Sequence, residues 1–213
     1  MASREYGQYC GITRALELVG ERWALLIVRD LLVGPRRYGE LAAGLPRIPS
    51  NILAARLKEL QAAGILRRVP RLRIVVYELT SYGRELEPVV LALGAWGFKA
   101  MGEPRDEQVL TPDAMTITLR TAFRPQVAAD LPATAYAARL GLDRLLVRVD
   151  GPTLAVTRDY GPVDVEFTTG PAIHRVISGQ LAPDRAIATG AVKVLRGRGE
   201  LLDRFASTFH LAA

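Results

Sequence analysis

Cysteine, histidine and long apolar runs are scarce in this sequence. Its 213 residues include one cysteine, Cys10, and two histidines, His174 and His210. One cysteine cannot form an internal disulfide, and three such side chains are too few for a structural zinc site, so we predict neither a metal nor a cofactor. No apolar run approaches the roughly 18 residues of a membrane helix, and residues 1–10 lack a signal-peptide pattern. We therefore expect a cytoplasmic protein without a membrane partner.

Catalytic motifs are also missing. The sequence contains no Ser, His and Asp at the spacing of a catalytic triad, no phosphate-binding loop and no paired histidines. The motif Gly197-Arg198-Gly199 is too short to indicate a nucleotide site. We predict that the protein is not an enzyme.

Positive charge is in excess, and the excess lies in the first half of the chain. There are 28 Lys and Arg residues against 22 Asp and Glu, a net charge of +6. Residues 1–105 carry 16 basic and 10 acidic side chains, whereas residues 106–213 carry 12 of each. Nine basic residues fall in the window 36–73, against only Glu40 and Glu59. This distribution predicts a phosphate-contacting surface, although a solvated basic face in an arginine-rich chain would look the same.

Helical periodicity dominates the first 64 residues. Apolar residues recur every three or four positions in the segments 12–18, 23–31, 38–45 and 50–64, with glycine or proline between them. The fourth segment begins at Pro49-Ser50, and Leu53, Leu57 and Leu60 form its inner face.

Period-two alternation replaces the helical pattern after Gly64. Segments 65–69 and 74–79 predict a hairpin with a basic tip. A further helix, capped by Thr80 or Ser81, is predicted to run to Gly97. Four helices, a hairpin and a closing helix are the layout of a winged helix-turn-helix.

Residues from Cys10 to Gly97 carry a set of motifs in one register. The set comprises Cys10, Gly20, Trp23, the passage Leu31–Tyr38, Ser50, Leu53, Arg56-Leu57, Gly64-Ile65-Leu66, Gly83 and Trp96-Gly97. It resembles the HxlR-type transcriptional regulators, with Gly11 in place of the usual Pro and Tyr38 in place of the usual Phe. The resemblance implies a homodimer on palindromic double-stranded DNA, in which the first helix and the helix 85–101 pair across the two-fold axis. Alternatively, Trp96, Phe98 and Met101 pack on the second domain.

The start of the fourth helix is the predicted DNA-reading element. Ser50, Asn51 and Ala54 point away from the core and would enter the major groove. Asn51 can pair with adenine, Ser50 can bond a base or a phosphate, and Ala54 can pack on a thymine methyl group. The alternative for Ser50 and Asn51 is simple helix capping.

The other predicted DNA contacts are basic. Arg47 and Lys58 suit phosphates, and Arg71 and Arg73 at the wing tip would follow the backbone or enter the minor groove. Arg56 serves equally well for DNA or for an intramolecular ion pair. The complete predicted set is Arg37, Arg47, Ser50, Asn51, Ala54, Arg56, Lys58, Arg71 and Arg73.

The second half has a different organisation. A polar, proline-marked passage predicts a linker at 104–113, between a DNA-binding and dimerisation domain at 1–103 and a second domain at 114–213. Alternating apolar residues predict strands at 115–119, 145–149, 154–158, 163–167 and 191–195, and helices are predicted at 171–178, 183–188 and 200–209. The fold class is therefore α+β, with an antiparallel sheet covered by helices.

The chain from Leu145 to Phe205 resembles the sterol-carrier-protein fold in its spacing, notably through Thr168-Thr169, Ile177-Ser178-Gly179 and Ala186–Gly190. It departs from that family at Arg196–Gly199, where Gly-Asp is usual. The resemblance implies a pocket for a hydrophobic small-molecule effector. Its predicted lining is Ile117, Leu119, Val147, Val156 and Phe167, all of which would serve equally well as plain core.

Cys10 leaves a further alternative open. A helix N-terminus and Arg14 could lower the pKa of its thiol, and the HxlR resemblance implies a redox role. Without a second cysteine, any disulfide would join Cys10 to another copy or to a small thiol. The contrasting interpretation is a buried packing residue. Besides an effector-modulated regulator, we therefore keep two hypotheses: a thiol sensor, and a lipid carrier whose winged helix contacts proteins.

Overall fold

The computed structural model describes residues 5–212, and its elements form two compact units. The first unit ends at Val90 and the second begins at Leu91. This division falls before the domain boundary at 103 that the sequence predicts. None of the helices within residues 5–212 is long and apolar enough to cross a membrane.

The first unit follows the predicted order of elements. It contains α1 (Gly11–Val19), α2 (Ala24–Val33), α3 (Tyr38–Gly44), α4 (Ser50–Ala62), β1 (Leu66–Arg71), β2 (Ile74–Leu79), α5 (Ser81–Arg84) and the start of α6 (Glu87–Phe98). Leu53, Leu57 and Leu60 of α4 are buried, as predicted, and α2 is buried on most sides. These contacts fix which face of α4 is left for solvent.

The wing is an antiparallel hairpin with a small third strand. β1 pairs with β2 from Leu66↔Leu79 to Arg71↔Ile74. Arg36, just before α3, forms an isolated bridge to Tyr77, with its N–H 3.0 Å from the Tyr77 carbonyl oxygen. The wing is thereby tied to the segment that leads into α3.

The single helix predicted from Thr80 to Gly97 is two helices. Thr80 caps α5, since its hydroxyl accepts a hydrogen bond from the Gly83 N–H at 3.0 Å. Pro88 lies in the first turn of α6. A continuous helix would drive its ring into the carbonyl of Arg84, so the helix must restart.

The second unit is a five-stranded sheet with surrounding helices. Its elements are the end of α6, α7 (Pro112–Ala122), α8 (Pro125–Ala129), β3 (Thr134–Leu140), β4 (Asp143–Asp150), β5 (Thr153–Thr157), β6 (Val165–Thr168), α9 (Ile173–Ile177), α10 (Pro183–Ala188), β7 (Lys193–Gly197) and α11 (Leu201–Thr208). The strand order is β5-β4-β3-β6-β7. The α+β class is confirmed.

The sheet is mixed, so the prediction of an antiparallel sheet was wrong in one pairing. β6 lies beside β3 and runs parallel to it, with Tyr136 opposite Val165. Periodicity reports which residues face one side of a strand, but it carries no information on pairing between strands distant in sequence.

The helix α7 and the first strand of the sheet, β3, were misread from the sequence. Met115, Ile117 and Leu119 lie on α7, not on a strand, and Thr111 caps this helix by accepting a hydrogen bond from the Ala114 N–H at 3.3 Å. The Thr-Pro start was the overlooked helix signal. β3 was missed because its sequence, TAYAARL, is rich in alanine, which has a low strand propensity.

Candidate nucleic-acid interface

The first turn of α4 is exposed and has no side-chain cap. Its N-cap is Pro49, so Ser50 and Asn51 occupy the first two helical positions, and neither acts as a cap. The capping interpretation was therefore wrong for both. Ser50, Asn51 and Ala54 are exposed, and the Ser50 and Asn51 side chains form no hydrogen bond with the residues that the structure describes. Uncapped N–H groups and free polar side chains at a helix N-terminus suit an anionic partner.

A hydrogen bond from α3 positions this turn. The Tyr38 hydroxyl donates to the Ser50 carbonyl oxygen at 2.8 Å. At the start of α3, the Glu40 carboxylate accepts from the Arg37 N–H at 2.6 Å. In the sequence, Tyr38 stands out only as a departure from the usual Phe. Its positioning role became visible only when α3 and α4 were placed together.

The basic residues of α4 and the preceding loop have different environments. Arg37, Arg47 and Lys58 are exposed, and Arg47 and Lys58 form no ion pair within residues 5–212. Arg56 is different, because its Nη2 lies 3.0 Å from a Glu21 carboxylate oxygen and Nη1 pairs with Glu59. Its side chain is 15% exposed. Of the two roles predicted for Arg56, the structure therefore shows the intramolecular ion pair.

The wing carries arginines that are paired and one that forms no ion pair with the described residues. Arg67 and Arg71 flank Glu78, with N···O distances of 2.6 and 2.9 Å, and hydrogen bonding from Arg67 lowers the pKa of Glu78. Arg71 remains half exposed, and Arg73 is exposed without an ion pair to any described residue. Leu72, between them, is fully exposed at a φ of 52°. The tip thus projects two arginines and a strained apolar residue into solvent.

The predicted effector residues lie in the second unit, mostly in its interior. Leu119, Val147 and Phe167 belong to the main core, Ile117 is also buried, and Val156 packs against the core from a half-buried position. A cavity of about 340 Å³ lies elsewhere in this unit, and none of these five residues lines it.

Cys10 is exposed, so its interpretation as a buried packing residue was wrong. It is the N-cap of α1, and the backbone N–H groups of Thr13 and then Ile12 lower the pKa of its thiol. Arg14, which was also expected to act on the thiol, lies 3.1 Å from Glu17. Within residues 5–212 no group of three or more His, Cys, Asp or Glu side chains could hold a metal ion.

The helices, the hairpin and the bridge to Arg36 define the first unit as a winged helix-turn-helix. Residues 18–105 match the model of the HxlR-like helix-turn-helix family. The regulator YvaP of Bacillus subtilis, an uncharacterised helix-turn-helix transcriptional regulator, is 35% identical over 86 residues, which are 39% of this chain and 80% of YvaP. The chain therefore belongs to the HxlR-like helix-turn-helix family.

Other relatives match the same region. An uncharacterised helix-turn-helix transcriptional regulator of Mycobacterium tuberculosis is 41% identical over 112 residues, which are 51% of this chain. This chain spans 65% of the length of that relative. The structure of the redox regulator HypR in its oxidised form is 33% identical and has a TM-score of 0.40, over 41% of this chain and 94% of HypR. Since the family match ends at residue 105, the sterol-carrier resemblance of the second half stays a prediction.

Proposed function

We propose that this protein is a DNA-binding transcriptional regulator that places α4 in the major groove and the wing along the adjacent backbone. The observation that carries the proposal is the uncapped first turn of α4, where the Ser50 and Asn51 side chains are exposed and form no hydrogen bond with the described residues. Short polar side chains there allow close approach to base edges. Arg47, Lys58 and Arg73, which form no ion pair within residues 5–212, add positive charge for phosphates.

Asn51→Ala tests the groove contact. The full chain would select its sites from a random double-stranded DNA library, and fluorescence anisotropy would then measure affinity for the selected site. Because a bidentate side-chain contact to a base discriminates by about 1–3 kcal/mol, we expect Asn51→Ala to weaken specific binding roughly 5- to 150-fold. Gln61→Ala, at an exposed position in the last turn of α4, is the matched control.

Two results would contradict this assignment. One is an Asn51→Ala variant that selects the same site with undiminished affinity. The other is a specific complex whose affinity is unchanged between low and moderate salt, because phosphate contacts release counterions and make binding salt-dependent.

A homodimer is the proposed working form. Exposed apolar residues occur on α1, at Ile12 and Leu16, and on α6, at Leu93 and Trp96. Phe98, by contrast, packs into the core of the second unit, as the alternative interpretation expected for it. Large apolar side chains left in solvent at helical spacing favour a self-complementary interface.

We also propose that a hydrophobic small molecule modulates the regulator through its second unit. The support is a cavity of about 340 Å³ in that unit, a size that suits a small ligand. A ligand that binds one conformation of the dimer better than another would shift the population able to bind DNA.

Thiol sensing is a second candidate function, because Cys10 is exposed and the α1 amide groups lower the pKa of its thiol. The thiolate is the reactive form, so Cys10 should react faster at neutral pH than a free cysteine does. We expect the alkylation rate by iodoacetamide, followed by mass spectrometry, to reach half its maximum at a lower pH than for N-acetylcysteine. An oxidant response of DNA binding that persists in Cys10→Ser would eliminate this candidate.

A further inference from the structure

We propose that the cavity of the second unit binds a neutral, mainly apolar ring compound that carries a hydrogen-bond donor. The cavity lies beside the segment 97–110, α7 and the start of α9. It is therefore a different site from the sheet interior that the sequence suggested. A regulatory effect of this ligand on DNA binding rests on the proposed function, but binding of the ligand to the cavity can be measured without DNA.

The cavity wall is mostly apolar. Phe98, Met101, Val109, Leu110 and Ile173 contribute aliphatic, aromatic and thioether surface. Met101 and Val109 are more than half exposed, whereas Phe98 and Ile173 are buried. The site therefore has a fixed inner wall and an accessible rim. A ligand that covers this surface would remove it from water, which favours an apolar partner.

The wall carries no formal charge from acidic or basic side chains. None of the described residues that line the cavity is Asp, Glu, Lys or Arg. A charged ligand would lose its hydration there without gaining an opposite charge, which is strongly unfavourable. This argues for a neutral compound over a carboxylate or a phosphate.

His174 supplies a directional acceptor. Its Nδ1 lies 2.9 Å from the Pro171 carbonyl oxygen, which can only accept, so Nδ1 carries the proton. In the neutral imidazole, Nε2 then presents a lone pair. No other hydrogen bond joins the His174 ring to the described residues, so this lone pair is available to a ligand donor. Phe98 stacks edge-on with the ring, at a centroid distance of 6.4 Å, and helps to hold its orientation.

Thr118 adds a second polar group to the same wall. Its hydroxyl forms no hydrogen bond with the described residues, although the neighbouring Thr116 and Thr121 hydroxyls both bond to carbonyl oxygens of their own helix. The third polar side chain, Gln108, accepts from the Arg105 N–H through its Oε1 at 2.9 Å, which leaves its Nε2 group as a donor. An apolar wall with the His174 acceptor, the Thr118 hydroxyl and the Gln108 amide donor fits a ring compound that bears a hydroxyl group, because a hydroxyl both donates and accepts.

The test uses three probes of nearly the same shape. 2-Naphthol is neutral and has one donor, naphthalene lacks the donor, and 2-naphthoate is an anion. Titrations at pH 7.5 would follow the histidine ring resonances of the full chain by ¹⁵N NMR. Because the chain has only two histidines, His174 and His210 can be assigned by single substitutions. We expect 2-naphthol to shift the Nε2 resonance of His174 and to leave His210 unchanged.

The relative affinities of the three probes test whether His174 Nε2 accepts a hydrogen bond from the ligand. A hydrogen bond worth about 0.5–1.5 kcal/mol predicts that naphthalene binds roughly two- to tenfold more weakly than 2-naphthol. 2-Naphthoate should not bind. His174→Phe should lower the affinity for 2-naphthol to that for naphthalene, and His210→Phe is the matched control. Ala100→Trp, an exposed rim position, should block both probes without touching the core, which keeps the test decisive even if His174→Phe fails to fold.

The inference is overturned if 2-naphthol leaves the His174 resonance unchanged up to its solubility limit, or if Ala100→Trp binds it as well as the unmodified chain does. Equal binding of 2-naphthol and 2-naphthoate would equally count against a neutral ligand. These results are separable from a failure of the proposed function. A chain that binds selected DNA but no probe refutes the cavity assignment alone, and a chain that binds 2-naphthol but no DNA refutes the regulator alone.

Discussion

At the scale of single residues, the spacing of apolar residues predicts which side chains of α4 face solvent. It does not predict whether the polar side chains in the first turn cap the helix. Leu53, Leu57 and Leu60 are apolar at helical spacing, so Asn51 had to point outward. Whether Ser50 and Asn51 would cap the helix depended on where the first turn begins. The structure begins α4 one residue after Pro49, which frees both side chains.

Tyr38 shows how one hydroxyl connects two elements. Its bond to the Ser50 carbonyl oxygen should hold the first turn of α4 against α3. We expect Tyr38→Phe to lower the free energy of unfolding by about 0.5–1.5 kcal/mol, the usual net contribution of one hydrogen bond, and to weaken DNA binding only slightly. Urea denaturation followed by circular dichroism measures the first effect. Tyr82→Phe, at an exposed tyrosine with no hydrogen bond among the described residues, is the control, and equal losses in both variants would contradict the positioning role.

At the scale of elements, strong periodicity predicted the helices and the wing of the first unit correctly. The low strand propensity of β3, by contrast, concealed a strand. The helices of the first unit and the wing agree with the patterns read from the sequence. α7 was misread because Met115, Ile117 and Leu119 fit alternation, although Thr111-Pro112 marks a helix start. β3 has alanines where a strand usually has branched or aromatic residues, and only burial between its neighbours makes it a strand.

The wing contains an acid-sensitive ion pair. Arg67 first, and then Arg71, lower the pKa of Glu78 in the folded state. Stability from a carboxylate with a lowered pKa is present above the unfolded pKa, about 4.3 for Glu, and is lost as the pH falls through the folded value. We expect the melting temperature of the unmodified chain to fall more steeply below about pH 4.3 than that of Glu78→Gln.

Circular dichroism melts between pH 3 and 7 would compare these curves. Glu85→Gln, an exposed position without an ion pair to a described residue, is the control. Parallel curves for the unmodified chain and Glu78→Gln would show that the Glu78 pairs do not stabilise the wing.

At the scale of the whole molecule, charge and exposed apolar surface have separate roles. The +6 excess lies entirely in residues 1–105, where α4 and the wing tip expose basic side chains, whereas residues 106–213 are neutral overall. The second unit has a core of aromatic and aliphatic residues and a cavity without charged lining residues among those described. This arrangement favours an anionic partner for the first unit and a neutral one for the second.

A substitution on the exposed face of α6 should weaken the proposed homodimer. If α6 contributes to a two-fold interface, Trp96→Arg should shift sedimentation towards the monomer and weaken binding to a palindromic site, because each monomer then binds one half-site. Leu142→Arg changes an apolar residue at the β3–β4 turn that is even more exposed than Trp96, and it is the control. A Trp96→Arg variant that sediments like the unmodified chain would exclude this residue from the interface.

The sequence by itself determined the winged helix-turn-helix, the inward face of α4, the basic tip and the α+β class, because each depends on local periodicity, turn residues and charge order. Only the tertiary structure decided that β6 pairs in parallel with β3, that Arg56 is held by Glu21 and Glu59, and that the cavity lies beside His174. Apart from the Arg56–Glu59 pair, these features join residues far apart in the chain. Their energies come from packing and pairing that a local pattern does not record.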